Sequence, residues 1–415
     1  MTPNPMNAHL AMVVSLPHPT TFEAMPPPDR IHDLAVVGLG AFGSAVAHYG
    51  ARLGLDVVGI DRHSPPHDHG SSHAETRVTR LAVGEGAHYV PTAIRSHELW
   101  RQLEAETDER LLHDTGGLII APGTAAHDER WGDFVSATEA VSTSAGLDFE
   151  RLTTDEARRR HPGYRIRDDE VVGFEPAGGL VMAEFAVAAH LVQAQAHGAD
   201  LRPDTTATSV EASTSGAVVR TDTARDIHAR HVVVCAGPWT REVSDAARLR
   251  VTRQEVYWFE ADLDLWRADD AAFAIWAGTT IDDYLGVFAV TANAPLQAVK
   301  LVPEQFATAA SSPETVDRVI TDDDVARFHE SKVMPRLVGV TDRCVHRAVC
   351  LYTNTTDDHF LIDRHETVEA ATIVSACSGH GFKHSAAIGE ALARRAAGLD
   401  HLDLEAFRRA ARTPW

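Results

Sequence analysis

Cysteine is scarce in this 415-residue chain, which has four: Cys235, Cys344, Cys350 and Cys377. Their spacings match no zinc-ligand pattern, and a chain this long seldom leans on a disulfide framework, so neither a metal scaffold nor a stapled fold is expected. Cys235 and Cys344 read as ordinary buried thiols. Basic charge is also short: 38 Lys and Arg stand against 59 Asp and Glu, a net charge of −21. Such a surface repels nucleic acid and anionic membranes, although a local basic site for an anionic ligand stays compatible with it. No apolar run is long enough for a bilayer span.

What is present is a globular mixture, 44% hydrophobic and 23% charged, long enough to favour two domains over one. Residues 1–30 are proline-rich, with Pro26-Pro27-Pro28 near the end, and the first residues carry no lysine or arginine. A secretory leader is therefore not expected. The segment reads as a disordered extension, or as a start assigned too early with Met25 the alternative, and a cytoplasmic location follows by default.

Order is expected from Ile31. Leu34 to Val37 form an apolar run suited to a buried parallel strand. It enters Gly38-Leu39-Gly40-Ala41-Phe42-Gly43; an alanine-rich helical stretch follows to Leu53, and Leu55 to Ile60 read as a second strand ending at Asp61. That is a complete βαβ unit. Glu98 to Glu106 and Ala183 to His197 read as helices, 206–211 and 216–221 as strands, and Val232 to Val234 as a buried strand running into Gly237. From about 250 to 345 short alternating segments replace this pattern: Val251 to Glu260, Tyr284 to Val290 and Ala298 to Val302. A strand at Thr372 to Ala376, glycines 379 and 381 and a helix from Ser385 then restore it.

The fold expected is α/β (α+β overall): a Rossmann-type domain from 31–85, 172–248 and 346–402, with an inserted antiparallel-sheet domain from 86–171 and 249–345. Wiring of this kind suits flavoproteins better than ordinary NAD dehydrogenases. In the glycine turn, Gly38 permits the bend, Gly40 lets a pyrophosphate approach the backbone, and Gly43 lets helix and strand close together. The helix N-terminus offers free N–H groups to phosphate. Asp61 would accept hydrogen bonds from ribose hydroxyls and would repel a 2′-phosphate. The turn alone does not separate FAD from NAD.

Three further stretches do. His67 to Arg80 (HDHGSSHAETRVTR) leads to Gly84-Glu85-Gly86 and Tyr89-Val90-Pro91; Arg347 to Thr353 (RAVCLYT) leads to Asp358 to Asp363; and Ser378 to Lys383 reads SGHGFK. In this order they resemble the family of monomeric sarcosine oxidase and N-methyl-tryptophan oxidase, FAD-dependent amine oxidases of the D-amino-acid-oxidase superfamily. The resemblance runs loosely from 31 to 400 and is poor over 250–345, the region expected to shape the substrate pocket.

The resemblance implies a covalent FAD, joined through an 8α thioether to Cys350. It implies that His73 and Arg77 lie against the flavin ring, where a guanidinium stabilises charge on the reduced cofactor. Arg80 and Lys383 match the pair that grips a substrate carboxylate. Tyr284 matches a pocket tyrosine, and Lys300 a lysine that activates oxygen, although a lysine on the solvent face of an alternating strand is the alternative. The expected cofactor site also takes in Arg62, Ser72, Thr76, Val210, Gly237, Gly379, His380 and Gly381. No metal is expected. Two departures bear on the substrate: Ser72 stands where the family has a histidine, and Glu304 stands where another is expected. The activity implied is oxidation of a secondary amine, an N-methyl or cyclic amino acid, with hydride passing to flavin, the imine hydrolysing and oxygen becoming hydrogen peroxide. A flavin dehydrogenase using another acceptor is the alternative.

Overall fold

The computed structural model describes residues 30–123, 134–223, 225–244, 249–278, 283–305, 309–310 and 312–409. The extension inferred over 1–30 lies outside these apart from Arg30. The first strand, Ile31–Val37, is parallel to Val57–Ile60 on one side and to Ile227–Val234 on the other. Its last four residues are all buried, as a central strand covered on both faces requires. Asp200–Arg202 extends the sheet beyond Val57–Ile60. On the far side, Ile227–Val234 pairs at one end with the hairpin strand Gly216–Thr221 and at the other with Ala371–Ser375. The C-terminal strand thus enters the sheet begun at residue 31, so this half of the molecule is built from both ends of the chain.

The helix Ala41–Arg52 follows the first strand and packs against helices Ala183–Ala196 and Ser385–Ala396. Alanines such as Ala45, Ala47, Ala386 and Ala387 are fully buried there, and their small side chains let the three helices approach closely. Gly54, at φ +83°, ends the first helix, and the next strand starts at Val57 rather than Leu55.

A nine-stranded sheet forms the other half, with the order Ala309–Ala310, Arg250–Ala261, Val299–Val302, Leu285–Phe288, Phe273–Trp276, Gly117–Pro122, Glu170–Glu175, Glu150–Leu152. Val340–Asn354 pairs antiparallel with Arg250–Ala261 along its length. The parallel pair of Phe273–Trp276 with Gly117–Pro122 interrupts an otherwise antiparallel sheet. Trp266, Trp276, Phe259 and Tyr257 fill its core. Thr76–Thr79, Gly179–Met182 and Leu112–Asp114 form a separate small sheet. Residues 172–175 and 346–354, grouped above with the nucleotide-binding segments, pair within the nine-stranded sheet instead. Both are strand-forming segments that would suit either sheet, and only the partner strand decides. Among the described residues no helix is long and apolar enough to cross a membrane.

The helical layer buries histidines. His48 Nδ1 lies 3.0 Å from His190 Nδ1, so one ring donates and the ring that accepts is neutral. Burial pulls His48 down to about 3 and His190 well below the ordinary value. His97 falls to about 4 for the same reason. A histidine depressed in the folded state contributes stability above its unfolded pKa, and loses it as pH falls. Unfolding free energy should therefore drop from pH 6.5 downward by about 1.4 kcal/mol per pH unit for each such histidine. Urea midpoints measured between pH 8 and 5 check this.

Candidate active site

The strand Ile31–Val37 delivers its chain into a turn that no side chain could share. A Cβ on Gly43 would lie 1.8 Å from the carbonyl oxygen of Gly38, so helix and turn meet backbone to backbone. The carboxylate of Asp61, at the end of the second strand, accepts from Leu39 N at 2.7 Å and His63 N at 2.9 Å. It is tied to the turn it faces. The first helical N–H, of Ala41, donates to Ser72 Oγ at 3.1 Å, so the serine that replaces a histidine caps this helix from outside.

The C-terminal segment repeats the device. Ala371–Ser375 runs into Gly379, at φ +81°, and a Cβ on Gly381 would fall 1.6 Å from Ala376 O. Helix Ser385–Ala396 follows. One continuous cavity joins the two turns, lined by Gly38, Gly40, Asp61 and Gly237 at one end and by Tyr284, Tyr352, Gly379 and Lys383 at the other.

Between the turns runs the strap 71–80. Ala74 and Glu75 sit at φ +73° and +71°, left-handed positions that cost about 1–2 kcal/mol each for a residue with a Cβ. The backbone groups around them are gripped from several sides. Lys300 Nζ donates to Ala74 O at 2.9 Å and to Thr76 O. Glu184 accepts from Glu75 N with both oxygens, at 3.1 and 3.0 Å, and Ala183 N donates to Glu75 O at 2.7 Å. Arg77 closes the strap, donating to Thr76 O and Ser71 O, each at 2.8 Å, and to Cys350 Sγ at 3.6 Å.

Lys300 is only 2% exposed, which excludes the solvent-face alternative. Its strand is sandwiched by Arg250–Ala261 and Leu285–Phe288, which set Trp258 and Phe288 opposite it. Its ammonium lies 4.0 Å from the Phe288 ring centroid. Burial, and then Arg77, lower its pKa, while Glu75 raises it. Burial conversely raises that of Glu75.

At the far end Arg80, 2% exposed, pairs with Glu85 at 2.5 Å and donates to Ala82 O at 3.0 Å. Glu175, from the nine-stranded sheet, holds this loop by accepting from Leu81 N and Ala82 N at 2.5 and 2.9 Å. Lys383 donates to His380 O at 2.7 Å and stands 4.0 Å from the other oxygen of Glu85. Burial brings Lys383 down to about 8, with Glu85 opposing the shift.

This geometry has known counterparts. A family model described as FAD dependent oxidoreductase matches residues 33–395. The chain belongs to that family. It is 32% identical over 370 residues to a monomeric sarcosine oxidase of Streptomyces avermitilis, covering 87% of this chain and 92% of the relative. It is 30% identical over 362 residues to an N-methyl-L-tryptophan oxidase of Yersinia pestis, covering 87% and 94%. Among solved structures, the open form of a NikD variant, an unusual amino acid oxidase essential for nikkomycin biosynthesis, superposes with a TM-score of 0.80 at 23% identity, covering 92% and 97%. Glycine oxidase from Geobacillus kaustophilus gives 0.72 at 17%, covering 93% and 100%. These two show the fold.

As an FAD-dependent oxidoreductase the chain has the residues its cofactor needs. Both glycine turns leave backbone bare on the cavity, and the buried hydroxyls of Thr353 and Ser375 line it with no partner among the described residues. Of the residues expected from sequence, Gly38, Gly40, Asp61, Arg62, Ser72, Arg77, Arg80, Gly237, Tyr284, Gly379, His380, Gly381 and Lys383 line the cavity. Arg62 does so while paired with Glu242 and Glu314.

Six expected residues do not line it. Gly43 packs beneath the turn. Val210 points into the core beside Val219, because strand alternation turns it inward. Thr76 is buried in the strap, and Lys300 is buried against it. His73 and Cys350 lie together behind Arg77, His73 Nε2 3.3 Å from Cys350 Sγ, with His73 lowered to about 4 by burial. Sequence reasoning left without a role Glu85, Tyr352 and Cys377, all on the cavity wall. Glu85 stands inside a quoted motif, but nothing local marks it as the partner of Arg80.

The strap's rigidity is testable. Glu184→Ala leaves the buried Glu75 N–H without an acceptor and should lower the unfolding free energy by about 2 kcal/mol. Glu184→Gln keeps an acceptor oxygen and should recover most of it, read from urea midpoints at unchanged slope.

Proposed function

We propose that this enzyme oxidises the secondary amine of an N-methyl or cyclic amino acid, with FAD as hydride acceptor and oxygen as the final acceptor. The observation that carries this reading is the charge set at the cavity's far end. Arg77, Arg80 and Lys383 set against Glu85 and Glu304 leave one positive charge, the complement of a single substrate carboxylate. When bound, FAD supplies the hydride acceptor and the route for two electrons to oxygen. The chain's own residues bind, orient and tune. Arg80 and Lys383 fix the carboxylate, Tyr284 and Tyr352 wall the pocket, and Gly38, Gly40, Asp61 and Gly381 hold the dinucleotide. Arg77, Arg80 and Lys383 lower the pKa of a substrate ammonium, favouring the neutral amine from which hydride can leave. Relatives named sarcosine oxidase and N-methyl-L-tryptophan oxidase support an N-methyl substrate.

In this reading the nucleotide-binding domain comprises 31–85, 172–248 and 346–402 apart from the strand segments 172–175 and 346–354, which pair in the other sheet, and the enzyme is cytoplasmic. Cys350 carries the flavin as a thioether. The motif around it supports this, since Tyr352 and Thr353 of the same strand line the cavity. Cys377 is the rival thiol, because it reaches the wall directly. Yellow colour should stay with acid-precipitated wild type and with Cys377→Ser, and should be released from Cys350→Ser.

Anaerobic bleaching of the flavin band by N-alkyl and cyclic amino acids, with oxygen uptake and peroxide measured afterwards, tests the reaction. Peroxide-free turnover with artificial acceptors would favour a dehydrogenase. Lys300→Met should slow reoxidation far more than reduction by substrate. Lys383→Met should raise KM by about 10-fold or more, as loss of a charged hydrogen bond does. In wild type, affinity for the carboxylate should fall as pH rises through about 8, where Lys383 loses its proton; in Lys383→Met that step should vanish.

A further inference from the structure

At the first glycine turn the cavity is walled by Arg62, directly after Asp61, and by Trp239 and Glu242, shortly after Gly237. The other half of the molecule reaches over this wall. Glu314 lies in the turn Pro313–Thr315, after the strand Ala309–Ala310 of the nine-stranded sheet. It accepts from Arg62 Nη1 at 2.8 Å and from Trp239 Nε1. Arg62 pairs with Glu242 through its other terminal nitrogen, and its guanidinium lies 5.4 Å from the Trp239 ring centroid. Four residues on, Arg318 donates to Asp68 O at 3.1 Å and to His69 O at 2.6 Å, while holding Val349 O of its own sheet at 3.2 Å. Glu314 is not on the cavity wall and its side chain is 49% exposed, so these contacts close the wall from the solvent side. Together they form a clasp between the halves.

A cavity that takes a dinucleotide must open to admit it, and the contacts between the halves differ in how easily they part. The strap at Ala74 and Glu75 is gripped by the buried side chains of Lys300 and Glu184. Pulling those apart would strand charge in a dry interior, which is costly. At the clasp the side chains of Arg62 and Glu242 are 26% and 40% exposed, and water can replace each lost partner at small cost. The halves therefore part most readily at the clasp, beside the carboxylate of Asp61.

We propose that Glu314, with Arg62 and Trp239, gates the entry of FAD: the clasp opens to admit the cofactor and closes over its adenosine portion once that is seated. The inference needs FAD in the cavity but no particular substrate. Its failure would leave the amine-oxidation reading standing, and an enzyme that bleached with no amine would leave the clasp untouched.

The test follows uptake rather than turnover. Full-length protein expressed under riboflavin starvation is mixed with FAD in a stopped-flow instrument, and binding is read from the change in flavin fluorescence. In wild type the observed rate should level off as FAD concentration rises, at the rate of clasp opening. Glu314→Ala and Arg62→Met should each raise that ceiling by about 5-fold or more, the scale of a lost part-exposed ion pair and its hydrogen bonds. The double variant should be no faster than the quicker single one, because either change opens the same clasp. The two substitutions alter charge in opposite directions. If this wall merely steered an anionic cofactor, Glu314→Ala would speed uptake and Arg62→Met would slow it, and that result would overturn the proposal. So would a wild-type rate that climbs linearly with FAD and shows no ceiling, a measurement that needs no variant. Lower urea midpoints in both variants with unchanged uptake would make the contacts structural only and would overturn it as well.

Discussion

The left-handed step at Ala74 and Glu75 is what the rest of the site depends on. Two residues with Cβ atoms hold a conformation that favours glycine, and they do so because residues from two other elements grip them at once. Lys300 reaches across from the nine-stranded sheet, Glu184 and Ala183 from the start of a helix on the first sheet. The strap is therefore a joint between the halves of the molecule. Ser72 on one side of it caps the first helix, and Arg77 on the other faces the cavity while covering Cys350. A relaxed strap would move the nucleotide turn and the cavity's guanidinium together.

Charge is arranged around this joint with little slack. The surface is strongly acidic, but the cavity collects Arg77, Arg80 and Lys383 against Glu85 and Glu304. Burial strengthens each interaction and makes each unpaired charge expensive. Glu175 shows how the protein handles this: its carboxylate is spent on two backbone N–H groups, which fixes the loop that aims Arg80. The depressed pKa of Lys383 follows from the same enclosure, since burial outweighs its acidic neighbour.

Much of this was legible in the residue order. The βαβ unit with Gly38, Gly40, Gly43 and Asp61 has a local cause, because a strand that must turn into a helix within a few residues needs glycine wherever backbone meets backbone. The return of such a pattern at Thr372 to Gly381 likewise announced a domain built from both ends of the chain. The roles of Glu85 and Glu184 were not legible. Each acts on a group brought to it by folding, and a glutamate on a helix or in a loop looks the same whether it faces water or a buried N–H.

By itself, then, the residue order determined the two glycine turns, the basic residues able to face an anion, and the change from βα units to short alternating strands. These depend on backbone sterics and on periodicity, which act over a few residues. The tertiary structure alone decided which strands joined which sheet, as with 172–175 and 346–354, and that Lys300 points into the strap rather than into water. It also decided that Tyr352 and Cys377 stand on the cavity wall with Arg77, while Cys350 lies behind that guanidinium. Those outcomes follow from contacts between residues far apart in the chain, and strand pairing and burial carry no mark at the residues that will meet.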